Sequence, residues 1–101
     1  MKTIKIKAKI CKTNLQKSLG VMFKKQFTPH VFENVKYFHT YFCLPIEFVF
    51  LNKQNKVISA KKAQPHSIIF IPKNTIKTIE MMTGNIKKYD IKKGDKIKTH
   101  E

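Results

Sequence analysis

The stretch HTYFCLPIEFVF, residues 39–50, decides the fold. After Pro45 the chain runs Ile46-Glu47-Phe48-Val49-Phe50-Leu51, rich in the β-branched and aromatic residues that suit a pleated surface. The two-residue period puts Ile46, Phe48 and Phe50 on one face and Glu47, Val49 and Leu51 on the other. Upstream, VKYFHTYF (35–42) alternates as well, with Phe38, Thr40 and Phe42 on one side and Tyr37, His39 and Tyr41 on the other. Proline has no N–H for a sheet ladder, so Pro45 separates two strands. A histidine and a glutamate therefore lie inside the segment best suited to form the core.

Outward from this centre the strand signals repeat. Residues 3–10 alternate Ile4, Ile6, Ala8 and Ile10 against Lys5, Lys7 and Lys9, the pattern of a half-buried strand whose lysine row suits a sheet edge. NKQN (52–55) is a turn, and KVISA (56–60) is the returning strand of a hairpin. SIIFI (67–71), bracketed by Pro65 and Pro72, and TIKTIEMM (75–82) read as two more strands. Gly94-Asp95 is a tight turn entering a last one. Thr13 and Gln16 make a capping-box pattern, and Gly20 ends a helix of about two turns that faces Leu15 and Leu19 inward. NIKKY (85–89) predicts one helical turn, and residues 24–34, with Pro29 and no period, read as a loop. The expectation is a single domain over residues 1–101, mainly β: an antiparallel β sandwich or partly open barrel with two short helices. A chain of 101 residues suffices for one core, burying about two-thirds of its unfolded surface.

The charge is far from balanced. There are 21 lysines, no arginine and six acids, for a net charge of +15, and the first 32 residues hold eight lysines and no acid. Such a field attracts polyanions. An A/T-rich codon usage, which also favours Ile, Asn and Phe, would supply the same lysines wherever the surface tolerates them. Without arginine the chain lacks the usual bidentate reader of phosphates and guanines, since lysine acts as a point charge.

Several function classes lose support. The alternating N-terminus has no continuous apolar segment of the signal-peptide kind. The longest near-apolar run, CLPIEFVFL, is too short to span a bilayer. Three scattered glycines make no phosphate-cradling loop, and no serine sits in a nucleophile elbow. Cys11 and Cys43 match no zinc or redox spacing and read as small buried hydrophobes in a reduced, cytoplasmic setting. A metal site would need His39, Cys43, His66 and a carboxylate to converge, but His39 and Cys43, four apart on a strand, lie about 13 Å from each other unless the chain bends back at Pro45. No metal and no cofactor is expected.

His39-Thr40, an aromatic pair and Pro45-Ile46-Glu47 running into FVFLN are similar to the central signature of the family called domain of unknown function 192, and the order of landmarks on both sides resembles that family's too. Lys17 with Gly20-Val21-Met22-Phe23 resembles its basic, Gly-Leu-Met-Phe segment, and Pro65-His66 its Pro-Trp step. Ile79-Glu80 through Gly84 resembles its Leu-Glu-Leu-Pro-Ala-Gly stretch, and Gly94-Asp95 its late turn. Lysine stands for arginine at 17, glutamate for aspartate at 47, and Met81-Met82-Thr83 for Leu-Pro-Ala. The resemblance implies a mainly β domain with short helices, and it implies no activity.

Glu47 and Glu80 are the sharpest oddities, each a carboxylate among apolar neighbours that must be paired, hydrogen-bonded or neutralised. Either they approach each other or His39 as a proton-handling or metal site, or a lysine or backbone donors satisfy each one separately. Tyr37, His39 and Tyr41 form either a stacking platform or a row of cross-strand neighbours. Lys5, Lys7 and Lys9, with Lys87, Lys88, Lys92 and Lys93 of KKYDIKKGDKIK (87–98), are the candidate anion surface, or else simply a solvated face.

The leading reading is a binding module, rather than an enzyme, for a small anionic or aromatic ligand. Its pocket would be lined by Tyr37, His39, Tyr41, Glu47 and Glu80, with lysines at the rim and no membrane contact. The alternatives are a nucleic-acid binder of no sequence specificity and a hydrolase using Glu47, Glu80 and His39.

Overall fold

In the computed structural model the alternating segment 3–11 is one extended run that serves two sheets. The structure describes residues 1–11, 28–35, 37–39 and 45–101. Strand β1 (Thr3–Lys7) pairs in parallel with β9 (Lys96–His100). Strand β2 (Lys9–Cys11) pairs in parallel with β3 (His30–Glu33). The switch lies at Ala8, whose N–H donates to the His100 carbonyl at 2.7 Å, while the Lys9 N–H donates to Pro29 at 2.8 Å.

A five-stranded sheet forms the body, in the order β2-β3-β8-β5-β6, where β5 is Ile46–Leu51, β6 is Val57–Ala63 and β8 is Lys77–Met82. Strand β5 lies between β8 and β6 and is buried along its whole length, which is why IEFVFL reads as a nearly unbroken apolar run. A two-stranded ribbon of β4 (Tyr37–His39) and β7 (Ile68–Phe70) stands apart from it. One short helix, α1 (Asn85–Lys88), follows β8. It starts after Gly84, whose φ of 102° is the left-handed conformation that glycine adopts without strain.

Strand β9 also touches the start of β6, through a bridge between Lys56 and Lys96 and a hydrogen bond from Ile97 N–H to Asn55. With the hydrogen bonds from Val57 N–H to Asp95 and from Gly94 N–H to Val57, these contacts join the two sheets at one corner without closing a barrel. Asn52 builds the intervening turn by accepting from the Gln54 and Lys56 N–H groups, and Asn55 takes a φ of 63°.

Each face of the main sheet carries its own core. Val49, Leu51, Ile79 and Met81 pack with Ile4, Ile6 and Ile97 of β1 and β9 on the inner face. Phe32, Ile46, Phe48, Phe50, Cys11 and Ala63 form the outer core, against which Ile58, Ile69 and Ile71 pack. Phe48 and Phe50 lie with ring planes 1° apart, and burying each side chain contributes roughly 2–3 kcal/mol.

The architecture is mainly β, and the strands expected at 3–10, 46–51, 56–60, 67–71 and 75–82 are present. The sheets are mixed: β1–β9 and β2–β3 are parallel, a long-range property that local alternation does not encode. Residues 30–33 lie in the expected loop yet form β3, because a buried histidine hides the apolar face of this short strand. The helix expected over 13–20 lies outside the described residues, as do Tyr41 and Cys43.

Candidate functional site

The pocket expected from the sequence divides among three places. In β5–β8 pairing Glu47 stands opposite Met81, and Phe48 opposite Glu80. Residues directly opposite share a face and neighbours along a strand alternate, so the two glutamates project from opposite faces of the sheet. The expected convergence of Glu47 with Glu80 is thereby corrected: the positions are odd and even on adjacent strands in this register.

Glu47 belongs to the inner face, where its Oε1 accepts the Ile86 N–H at 2.8 Å. That N–H is one of the unpaired donors of the first turn of α1. Gly84 at the N-cap has no side chain to offer, and no side-chain cap is formed there. Glu47 supplies the missing acceptor from another strand, which realises the backbone-donor alternative for this residue.

Glu80 lies on the outer face at the middle of β8, the central strand, and is only 4 % exposed. Among the described residues its buried Oε2 has no hydrogen-bond partner. Burial without a partner penalises the carboxylate and pushes its pKa up to about 8, so the group is largely protonated at neutral pH. Its register neighbours on this face are Phe48 on β5 and His30 on β3.

His30, assigned no role from the sequence, is the residue that sequence reasoning missed. It is buried, its Nδ1 donates to the Thr28 carbonyl at 2.6 Å, and its ring stacks on Phe32 with centroids 6.4 Å apart. Since a carbonyl only accepts, Nδ1 carries the proton. The register continues outward, so that Lys9, His30, Glu80, Phe48 and Lys61 form one row across all five strands. The two-residue spacing of His30 and Phe32 was the legible clue.

Tyr37 and His39 are on the β4–β7 ribbon, opposite Phe70 and Ile68 respectively, so these four positions share one face. Tyr37 is 57 % exposed, Ile68 49 % and Phe70 75 %. The Ile69 position belongs to the other face, and Ile69 packs against the outer core.

The lysines divide as well. Lys5, Lys7 and Lys9 are exposed, with Lys5 directly opposite Lys98 and Lys7 opposite His100. Lys7, Ala8, Lys9, Thr28 and Glu101 line a groove of about 200 Å³. Lys87 and Lys88 are exposed on α1, and Lys92 and Lys93 in the turn before β9. Asp95 in that turn accepts from Lys2 Nζ at 2.7 Å, the Lys2 N–H at 3.1 Å and the Lys92 N–H at 2.9 Å. Those donors, Lys2 first, hold its carboxyl down at about 2.

Among the described residues no three His, Cys, Asp or Glu side chains converge to hold a metal ion, and no helix is long and apolar enough to cross a membrane.

Two solved structures share the fold. A protein of unknown function from Novosphingobium aromaticivorans superposes with a TM-score of 0.75 at 17% identity, covering 86% of this chain and 70% of that one. A protein described as a "putative transcription regulator" from Sinorhizobium meliloti gives a TM-score of 0.75 at 18% identity, covering 86% and 76%. No curated protein matches the sequence. Residues 1–99 match the family described as "Uncharacterized ACR", domain of unknown function 192, and the chain belongs to that family.

Proposed function

We propose that the protein is a binding module for a flat, anionic ligand of the nucleotide type, held on the exposed face of the β4–β7 ribbon. The observation that carries this reading is the Tyr37–Phe70 pair, directly opposite in register and 57 % and 75 % exposed. Isolated exposed apolar residues are ordinary, but Tyr37 and Phe70 in register, with Ile68 beside them, make an apolar face that none of the other described residues covers. Ring-on-ring stacking on such a face is worth about 1–3 kcal/mol per base. The net charge of +15 draws the phosphate part of the ligand by long-range attraction. The residues expected at this site reduce to Tyr37 and His39, joined by Phe70 and Ile68.

A second reading, single-stranded nucleic acid, is favoured by the register of Lys5 opposite Lys98 and Lys7 opposite His100, which extends a cationic face along β1 and β9. Lysine contacts to phosphate would make that binding fall steeply with salt. The hydrolase alternative loses its support, because Glu47 and Glu80 occupy opposite faces. A cytoplasmic setting, where nucleotides and RNA are abundant, goes with both readings.

Fluorescence titration with adenosine monophosphate and with mixed single-stranded RNA tests the proposal. Tyr37→Ala and Phe70→Ala weaken both ligands about tenfold at fixed salt if the rings stack on bases. Unchanged affinity in both variants would remove the platform and leave charge alone.

A further inference from the structure

The outward face of the β1–β9 pair holds four lysines, a histidine and a threonine, and no acid. In the parallel register Thr3 stands opposite Lys96, Lys5 opposite Lys98 and Lys7 opposite His100. Lys5, Lys7, Lys98 and His100 are exposed, and Lys96 is half-buried. Lys56, the bridge partner of Lys96, widens the first rung of this ladder. The alternate positions, Ile4, Ile6 and Ile97, are buried in the inner core, so the ladder faces water alone. The acids at its two ends are already engaged. Asp95 accepts from Lys2 Nζ and from two backbone N–H groups, and the Glu101 Oε1 accepts the Ile10 N–H at 3.1 Å.

The spacing of the ladder selects a kind of partner. Along each strand the rungs repeat about every 6.6 Å, and across the pair the partners stand about 4.8 Å apart. The longer step is close to that between neighbouring phosphates of an extended single strand. A phosphate seated on one rung meets two cationic positions at once, and the next phosphate of the same chain reaches the next rung. Lysine is a point charge with three donors, which suits a phosphodiester carrying one charge over two oxygens. The like charges also oppose the pairing that displays them, because Lys5 and Lys98 are directly opposite. An anion between them replaces that repulsion with two attractions to a shared partner.

We propose that the outward face of β1 and β9 binds a single-stranded phosphodiester chain lengthwise, one phosphate to each rung, and that binding clamps the first strand to the last. This deepens the nucleic-acid reading of the face, on which it rests, and it is independent of the aromatic ribbon. A ligand that binds only the paired strands stabilises their pairing by mass action. The clamp therefore shows as slower hydrogen exchange at the amides of β1 and β9.

A net charge of +15 draws any polyanion, so the test holds net charge fixed and changes only its place. Lys5→Gln with Lys98→Gln removes both cations of the middle rung. Lys87→Gln with Lys88→Gln removes the same charge from exposed positions on α1. Fluorescence anisotropy with a labelled oligouridylate, repeated over a range of salt concentrations, compares the two. The ladder variant should bind about tenfold more weakly at low salt, the loss of one charge-assisted contact. Its salt slope should fall by about 0.7, the share of one phosphate on a single strand. The α1 variant should keep the native slope and nearly the native affinity. In the native protein, oligouridylate should slow exchange in β1 and β9 several-fold.

Equal losses in the two variants overturn the ladder and leave only general attraction. Absence of oligouridylate binding at low salt removes the nucleic-acid reading and the ladder together. An oligoglutamate of the same charge that binds as tightly, and with the same dependence on Lys5 and Lys98, overturns the phosphodiester in favour of an acidic polypeptide. Ladder-dependent binding with unchanged exchange in β1 and β9 overturns the clamp.

Discussion

Glu47 and Glu80 stand one register step apart across β5 and β8, and that step turns them onto opposite faces of one sheet. Their environments differ accordingly. Glu47 reaches a backbone donor at the edge of the inner core, whereas Glu80 lies unpartnered among the described residues at the centre of the outer one. The first is a structural cap and the second a stored proton.

The stored proton makes stability depend on pH. In the unfolded chain Glu80 ionises near 4.5, and in the folded chain near 8. Between these values the folded state holds the extra proton, so this contribution is complete below pH 4.5 and is lost as pH rises through 8. The total loss is on the order of 5 kcal/mol. Glu80→Gln does not titrate, so urea denaturation should show a variant clearly more stable than the native protein at pH 8.5 and similar to it at pH 4.

Removing the cap should act locally. Glu47→Ala leaves the Ile86 N–H without its acceptor and should cost about 1–2 kcal/mol, while Glu47→Gln keeps an acceptor oxygen and most of the stability. Hydrogen exchange at the Ile86 amide should quicken in the alanine variant and much less in the glutamine one.

Asp95 predicts the opposite pH behaviour. Its carboxyl is held at about 2 by Lys2 and by the Lys2 and Lys92 N–H groups. Its contribution is present above the ordinary value of 3.8 and is lost as pH falls through 2. Asp95→Asn should lower the melting temperature at pH 7 and narrow its gap to the native protein as the pH falls from 4 to 2.

The lysines on β1 and β9 should respond to salt. Lys5 and Lys98 are directly opposite, and like charges in that arrangement destabilise a strand pair. Lys98→Glu should stabilise by roughly 0.5 kcal/mol at low salt, and the gain should shrink as salt is added.

If the exposed rings serve binding, folding should hardly need them. Tyr37→Ser and Phe70→Ser should each change stability by less than about 1 kcal/mol, the scale of one cross-strand pair. A larger loss on chemical denaturation would mark the pair as a packing element.

Much of the fold was legible because its strands alternate: 3–10 and 46–51 each present a period of two that survives in the structure. What escaped was non-local. Parallel pairing of β1 with β9 joins segments 93 positions apart, and nothing within either strand encodes its partner. The site escaped for a related reason. Two glutamates in neighbouring strands share a face only if the register is even between them, and the register of β5 against β8 pairs segments that are distant in sequence, so neither strand encodes it alone. His30 was hidden because a buried polar residue in a four-residue strand erases the apolar pattern.

The partnership of the earliest strand with the latest has a consequence on the ribosome. Residues 3–7 emerge long before residues 96–100 and cannot complete their pairing until those have been made. At roughly 5–20 residues per second, the nascent Ile4 and Ile6 wait several seconds without their final neighbour. Lys5 and Lys7, interleaved between them, act as gatekeepers that discourage the waiting segment from sticking to other chains.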